Sequence, residues 1–198
     1  MEISANMVKE LRQATGSGVL DCKTALEVSK GNFDKAVEYL REKGLAKAAI
    51  KAGRVAKEGI VEAYVHAGSR VASLVEINCE SDFVARTEEF KNLAHDLAMQ
   101  VVAARPRYVK PEDIPAEVIE QEKSIYRVQV AAEGKPPHVV DKIVEGKLNK
   151  FYAEVCLMKQ PFIKNDEQTV EQLVMAMIAK LGENIVVRRF ARMELGEA

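Results

Sequence analysis

Residues able to do covalent chemistry are few and scattered in this chain. The three histidines, His66, His95 and His138, are isolated, without a second histidine at metal-ligand spacing. Cys22, Cys79 and Cys156 are odd in number and far apart, with no C-x-x-C pair, so neither a disulfide framework nor a zinc knuckle is indicated. They read as small buried hydrophobes in a reducing compartment. The sequence holds no H-E-x-x-H, G-x-S-x-G, Walker A loop or G-x-G-x-x-G, which leaves hydrolase, NTPase and dinucleotide readings without an anchor. Cys79 is the best candidate nucleophile, but the neighbouring Glu80 should raise its pKa and blunt it. No metal site and no cofactor is expected, and no catalytic residue is assigned.

The residues that stand out are suited to binding. In "EINCESDFVAR" (Glu76 to Arg86) a strand-like run ends and leaves Phe83 in a turn between Asp82 and Val84. Phe83 lies seven residues before Phe90, so a helix beginning at Ser81 would place both on one inward stripe. The alternative is an aromatic held out for a partner. Further back, the Thr15-Gly-Ser-Gly18 break leaves Val19 and Leu20 at a helix start, with Arg12 and Lys23 close in sequence. The result is a small apolar patch with a basic rim, either an interface or a cover over the local core.

The elements that must position these groups follow from periodicity. Ser4 can cap a first helix with Met7, Val8 and Leu11 inward. A second runs from about Val19 to Ser29 on Cys22, Ala25 and Leu26. Asn32 can cap a third, with Phe33, Ala36, Val37 and Leu40 as its stripe before Gly44. Three such stripes can bury one another in a small module. From Arg41 to Lys57 six basic residues face one acidic residue, and Lys43, Lys47, Lys51 and Arg54 share one helical face. This reads as a connecting helix, its cations either solvated or offered to an acidic partner.

At Gly59 the period becomes two. Val61, Ala63 and Val65, a turn at Ala67-Gly-Ser69, then Val71, Ser73, Val75 and Ile77 read as a β-hairpin. Phe90, Leu93, Ala94, Leu97, Ala98, Val101 and Val102 predict a long amphipathic helix capped by Thr87. Pro106, Pro111 and Pro115 mark a loop. Two helical patterns, about Ala116 to Ala132 and Val139 to Tyr152, flank Gly134-Lys-Pro-Pro137 as a helical hairpin at about 116–152. Val155 to Ile163 reads as a strand and Val170 to Leu181 as a helix. A last strand, Ile185 to Leu195, has Ile185, Val187, Ala191, Met193 and Leu195 on one face. The fold class is α+β: a three-helix module followed by a small antiparallel sheet packed with helices.

The 198 residues allow a real core, and a formal net charge of -1 gives no global attraction to nucleic acid or anionic membrane. No apolar run approaches the ~20 residues that span a bilayer, and no signal-peptide pattern is present, so a soluble cytoplasmic protein is expected.

Four ordered segments resemble one family. "LRQATGSGVLDCKTAL" (Leu11 to Leu26) and "EINCESDFVAR" are similar to the two signature segments of bacterial elongation factor Ts, the exchange factors for elongation factor Tu. "KQPFIK" (Lys159 to Lys164) and "LGENIVVRRF" (Leu181 to Phe190) resemble its later segments. The resemblance covers essentially the whole chain, in a short form without the coiled-coil insertion of longer relatives.

It implies a ubiquitin-associated-like docking domain at residues 1–54 and an α+β core at 55–198. It also implies a partner-binding role for Arg12, Val19, Leu20 and Lys23, and a role for Ser81, Asp82, Phe83 and Val84 in dislodging magnesium from the partner. Ser81 stands where the family has threonine and keeps the hydroxyl. Val19-Leu20 replaces a Met-Met pair of some members. The implied partner is elongation factor Tu, GDP-bound and nucleotide-free, with no direct nucleic acid contact. Some short relatives join two copies through a cysteine in the last strand. Here that position is Ala191, which leaves a homodimer open but not a disulfide-linked one. The rival readings are a ubiquitin-binding adaptor and a thiol enzyme.

Overall fold

The computed structural model describes residues 3–133 and 136–197. In chain order the elements are α1 (Ala5–Thr15), α2 (Val19–Val28), α3 (Phe33–Lys51), β1 (Glu58–Val65), β2 (Val71–Cys79), α4 (Asp82–Ala85) and α5 (Glu88–Ala104), then α6 (Ala116–Ala132), α7 (Pro137–Val155), β3 (Pro161–Phe162), β4 (Asn165–Thr169), α8 (Val170–Leu181) and β5 (Val186–Glu194). The expected α+β class is what the structure shows. Gly134 and Lys135, in the turn expected between α6 and α7, lie outside the described residues. Two compact units divide the chain. One comprises Met1–Ile60, Ile77–Leu93 and Gln172–Val186; the other comprises Val61–Glu76, Ala94–Glu171 and Val187–Ala198.

In the first unit the caps read from sequence are in place. Ser4 Oγ accepts from the Met7 amide at 3.3 Å, and Asn32 Oδ1 from the Lys35 amide at 2.9 Å. Leu11, Cys22, Ala25, Leu26, Ala36 and Leu40 form the buried cluster of α1 to α3, whereas Phe33, at the first position of α3, stays exposed. Gly44 does not end the third helix. A Cβ there would lie 3.3 Å from the Ala179 side chain of α8, so glycine permits a close helix approach inside a helix of 19 residues. The third stripe and the expected connector are therefore one element. Its cationic face is neither bare nor free: Lys43 and Lys47 donate to Asp21 at 3.0 and 2.8 Å, Lys51 donates to the Gly182 carbonyl at 2.6 Å, and Arg54 lies 3.6 Å from Glu80.

The three-stranded sheet has the order β1-β2-β5. His66 N–H donates to the Val71 carbonyl at 3.0 Å across the hairpin turn. Leu195 N–H bonds the Arg70 carbonyl at 2.8 Å and Arg189 Nε donates to Glu76 at 2.7 Å, so β5 runs antiparallel to β2. Gly59 has φ 147°, and a Cβ there would come 2.1 Å from the Ile77 carbonyl oxygen, so the close approach of β1 to β2 requires glycine. Ser73, Val75, Ile77 and Cys79 are buried along β2. The apolar residues of β1 face solvent instead: Val61, Ala63 and Val65 are all exposed, as is Leu74 of β2.

The single face expected for the last strand divides. Ile185 and Val187 are buried, but Ala191, Met193 and Leu195 are exposed. Two consecutive exposed residues, Arg188 and Arg189, switch the alternation, after which Phe190 and Arg192 are the more covered side chains. Arg192 holds the new register through the Val102 carbonyl and ion pairs to Glu194 and Glu197.

In the second unit, α6 and α7 pair over Ile114, Leu148, Phe151, Val155 and Cys156. The expected strand from Val155 to Ile163 does not form. Helix α7 continues through Val155, a 3-10 turn spans Leu157–Lys159, and β3 pairs antiparallel with β4, a strand not foreseen from sequence. Buried Gln160 supplies the reason. Its Nε2 donates to the Ala104 and Glu154 carbonyls at 3.1 and 3.0 Å, and its Oε1 accepts from buried Gln100 at 3.2 Å. Side-chain amides thus satisfy backbone groups that a strand ladder would have paired.

Candidate partner-docking site

Two corners of the first unit carry the candidate residues. The first is the α1–α2 loop. Gly16 ends α1 at φ 67°, its N–H bonded to the Arg12 carbonyl at 2.8 Å. Thr15 Oγ1 donates to the Leu11 carbonyl at 2.7 Å and accepts from the Ser17 amide at 3.3 Å. Cys22 is buried beneath, its thiol 3.6 Å from the Ser17 carbonyl. The loop is thus tied from below, and α2 begins with Val19 52% exposed and Leu20 80% exposed. Arg12 and Lys23 are exposed nearby in the chain, and Lys23 lies 3.9 Å from Glu27. Leu20 is thus turned largely to solvent, whereas Val19 is half covered.

The second corner is the exit of β2. Ser81 is extended (φ -131°, ψ 156°) and caps the single turn α4, its Oγ accepting from the Val84 amide at 3.4 Å. The turn stops at Arg86 because Thr87 starts a new helix, accepting from the Phe90 amide at 3.3 Å while its hydroxyl donates to the Val84 carbonyl at 2.8 Å. This break removes Phe83 from the stripe of Phe90. Phe90 is fully buried and Phe83 is 82% exposed. Ala85 is buried, Val84 half-buried, and Asp82 pairs with Arg86 at 2.9 Å.

The corner is braced from a distant segment. Glu183 Oε2 accepts from the amides of Glu80 and Ser81, both at 3.0 Å, and Oε1 accepts from the Ser81 hydroxyl at 2.6 Å. The hydroxyl retained at position 81 is therefore in use. Sequence reasoning did not single out Glu183. It follows Gly182 in the fourth family-like segment, but no local pattern marks an acid as the acceptor for amides about a hundred residues away.

Cys79 is buried, and burial pushes its thiol up to about 11, with the Glu183 carboxylate adding to the effect. The cause is thus mainly desolvation and Glu183, not Glu80 as its position in the sequence suggested. Two of the histidines are less isolated than their spacing implied: His95 Nδ1 lies 2.9 Å from Glu62, and His66 Nδ1 lies 3.0 Å from the Tyr64 hydroxyl. Among the described residues no group of three His, Cys, Asp or Glu side chains is placed to hold a metal ion, and no helix is long and apolar enough to cross a membrane.

Phe83 held out on a braced corner, and an exposed apolar helix start with Arg12 and Lys23 near it in the chain, thus sit on an α+β scaffold. The profile described as elongation factor Ts matches residues 5–177. The elongation factor Ts of Carboxydothermus hydrogenoformans is 61% identical over 195 residues, covering 98% of this chain and 90% of that protein. That of Caldanaerobacter subterraneus is 59% identical over 195 residues, 98% of each chain, and that of Syntrophus aciditrophicus is 56% identical over 197 residues, 100% of this chain and 98% of the relative. The chain belongs to the elongation factor Ts family.

Proposed function

We propose that this exchange factor promotes GDP release from elongation factor Tu by driving Phe83 into the nucleotide domain of Tu. Residues 1–54 act as the docking domain, with Val19 and Leu20 as the apolar contact and Arg12 and Lys23 at its rim; residues 55–198 act as the core. The observation that carries the reading is the 82% exposure of Phe83 on a turn whose backbone is held from outside. Magnesium bound beside GDP needs near-octahedral oxygen geometry and keeps several waters, so a wedge that shifts the surrounding loops weakens it without touching it. Ser81 and Val84 set the turn, and Asp82, already paired with Arg86, holds the wedge or exchanges that pairing for a polar group of Tu.

Magnitudes limit what the wedge does alone. Burying one aromatic yields ~1.5–3 kcal/mol, whereas a ten-thousandfold weakening of nucleotide needs ~5.5 kcal/mol of coupling. Docking elsewhere on the chain supplies the remainder, and by linkage the factor binds nucleotide-free Tu more tightly than Tu·GDP. The factor works in the cytoplasm, needs no cofactor, catalyses no covalent step and makes no direct nucleic acid contact. Stopped-flow release of labelled GDP from Tu tests the reading: the protein accelerates release, and Phe83→Ala loses most of that acceleration while keeping much of the affinity for nucleotide-free Tu. Equal rates for the parent protein and the Phe83→Ala variant would sink the wedge.

We also propose a homodimer without a disulfide, formed through the exposed sheet residues Val61, Val65, Leu74 and Met193. The exposed apolar residues on all three strands favour this, and the three cysteines are buried while position 191 is alanine. Sedimentation equilibrium should give twice the chain mass, reduced by Leu74→Lys with Met193→Lys; a monomer at high micromolar concentration overturns it.

A further inference from the structure

We propose that Glu183 is a positioning residue for exchange, the group that presents Phe83 at a fixed angle; the inference rests on the wedge reading of Phe83. A four-residue helix cannot hold itself, because helix nucleation is unfavourable until several turns have formed. The direction in which Phe83 leaves the protein is set by the backbone just before it, at Glu80 and Ser81. The Glu183 carboxylate accepts from both of these amides and from the Ser81 hydroxyl.

The bracing is reciprocal. The Asn184 amide donates to Glu80 Oε1 at 2.6 Å, and buried Asn184 anchors its own side chain on the Arg54 carbonyl at 2.8 Å. Two acids on segments far apart in sequence thus each accept from the other segment's backbone. Bonds from amides to an ionised carboxylate are among the stronger protein hydrogen bonds, and the site is partly sheltered from water. Without Glu183 two amides and a hydroxyl lose their acceptor, and the turn must be ordered at the moment of docking. That cost falls on the step that inserts Phe83, since ordering a mobile segment subtracts from binding. Docking through the α1–α2 loop does not involve it.

The test is a mutant cycle on GDP release from Tu, with Phe83→Ala, Glu183→Ala and the double variant, read beside affinity for nucleotide-free Tu and amide hydrogen exchange. Glu183→Ala is expected to slow release about tenfold, the loss of roughly one charge-assisted hydrogen bond. It should keep most of the affinity and speed exchange at the Glu80 and Ser81 amides while α5 stays protected. Glu183→Gln, which keeps one acceptor oxygen, should fall between and carries the test if the alanine variant unfolds. With Phe83 already removed, the loss of Glu183 should slow release no further. Equal, additive slowing in both backgrounds assigns Glu183 a general structural role and overturns the proposal, as does an unchanged rate beside a slow Phe83→Ala. An unchanged rate for Phe83→Ala itself removes the wedge reading first, and the inference with it.

Discussion

Asp21 of α2 lies 2.8 Å from Lys47 and 3.0 Å from Lys43 of α3, so one carboxylate joins two cations a helical turn apart. Hydrogen bonds from Lys47 and then Lys43 hold the Asp21 carboxyl below its usual range, and the hydrogen bond to Asp21 raises the Lys43 pKa. A carboxylate with a depressed folded-state pKa adds stability above its unfolded value of about 3.9, and this is lost as the pH falls through the lower folded value. Asp21→Asn should therefore cost about 1 kcal/mol at pH 7, a modest figure because the pair is partly exposed. Urea unfolding at pH 7 and at successively lower pH checks it: the difference between the two proteins should shrink as the pH falls below the unfolded value.

Phe83 and Phe90, seven residues apart, should give opposite results. Removing exposed Phe83 changes stability by less than about 0.5 kcal/mol, whereas Phe90→Ala opens a cavity in the core and costs about 3–5 kcal/mol. Equilibrium denaturation of both variants, beside their GDP-release rates, separates a residue kept for the partner from one kept for the fold.

The Cys79 thiol, pushed up to about 11, is almost entirely protonated at neutral pH. Iodoacetamide should leave it unmodified in the native protein at pH 8 and label it readily once denaturant unfolds the chain. Rapid native labelling, followed by mass spectrometry, would restore the thiol-enzyme reading.

Gly146 sits exposed within α7, and a Cβ placed on it meets nothing within 4 Å. Glycine in a helix interior costs about 1 kcal/mol relative to alanine. Gly146→Ala should therefore stabilise the protein by about 0.5–1 kcal/mol, seen as a higher urea midpoint with an unchanged slope.

Much of the local structure was legible because its causes are local. Ser4 and Asn32 cap where their side chains reach an amide three residues on, and the seven apolar residues of α5 are buried at the spacing that predicts them. The hairpin and the paired helices α6 and α7 were legible for the same reason. Gly44 was misread because its role depends on Ala179, and the region after Val155 because a buried Gln100–Gln160 pair replaces a ladder. The candidate docking residues were recognisable by type and by family resemblance, but their exposure was not.

The sequence by itself determined the helices, the hairpin and the kinship, since periodicity, caps and ordered motifs are properties of neighbouring residues. Only the tertiary structure decided which way Phe83 points. Its exit angle depends on a break at Thr87 and on a carboxylate at Glu183, whose bonds to Glu80 and Ser81 exist only once the chain has closed the distance between them. Long-range hydrogen bonds leave no period in the sequence, so the spacing of Phe83 from Phe90 by itself favoured the core, and only the family resemblance pointed to a partner.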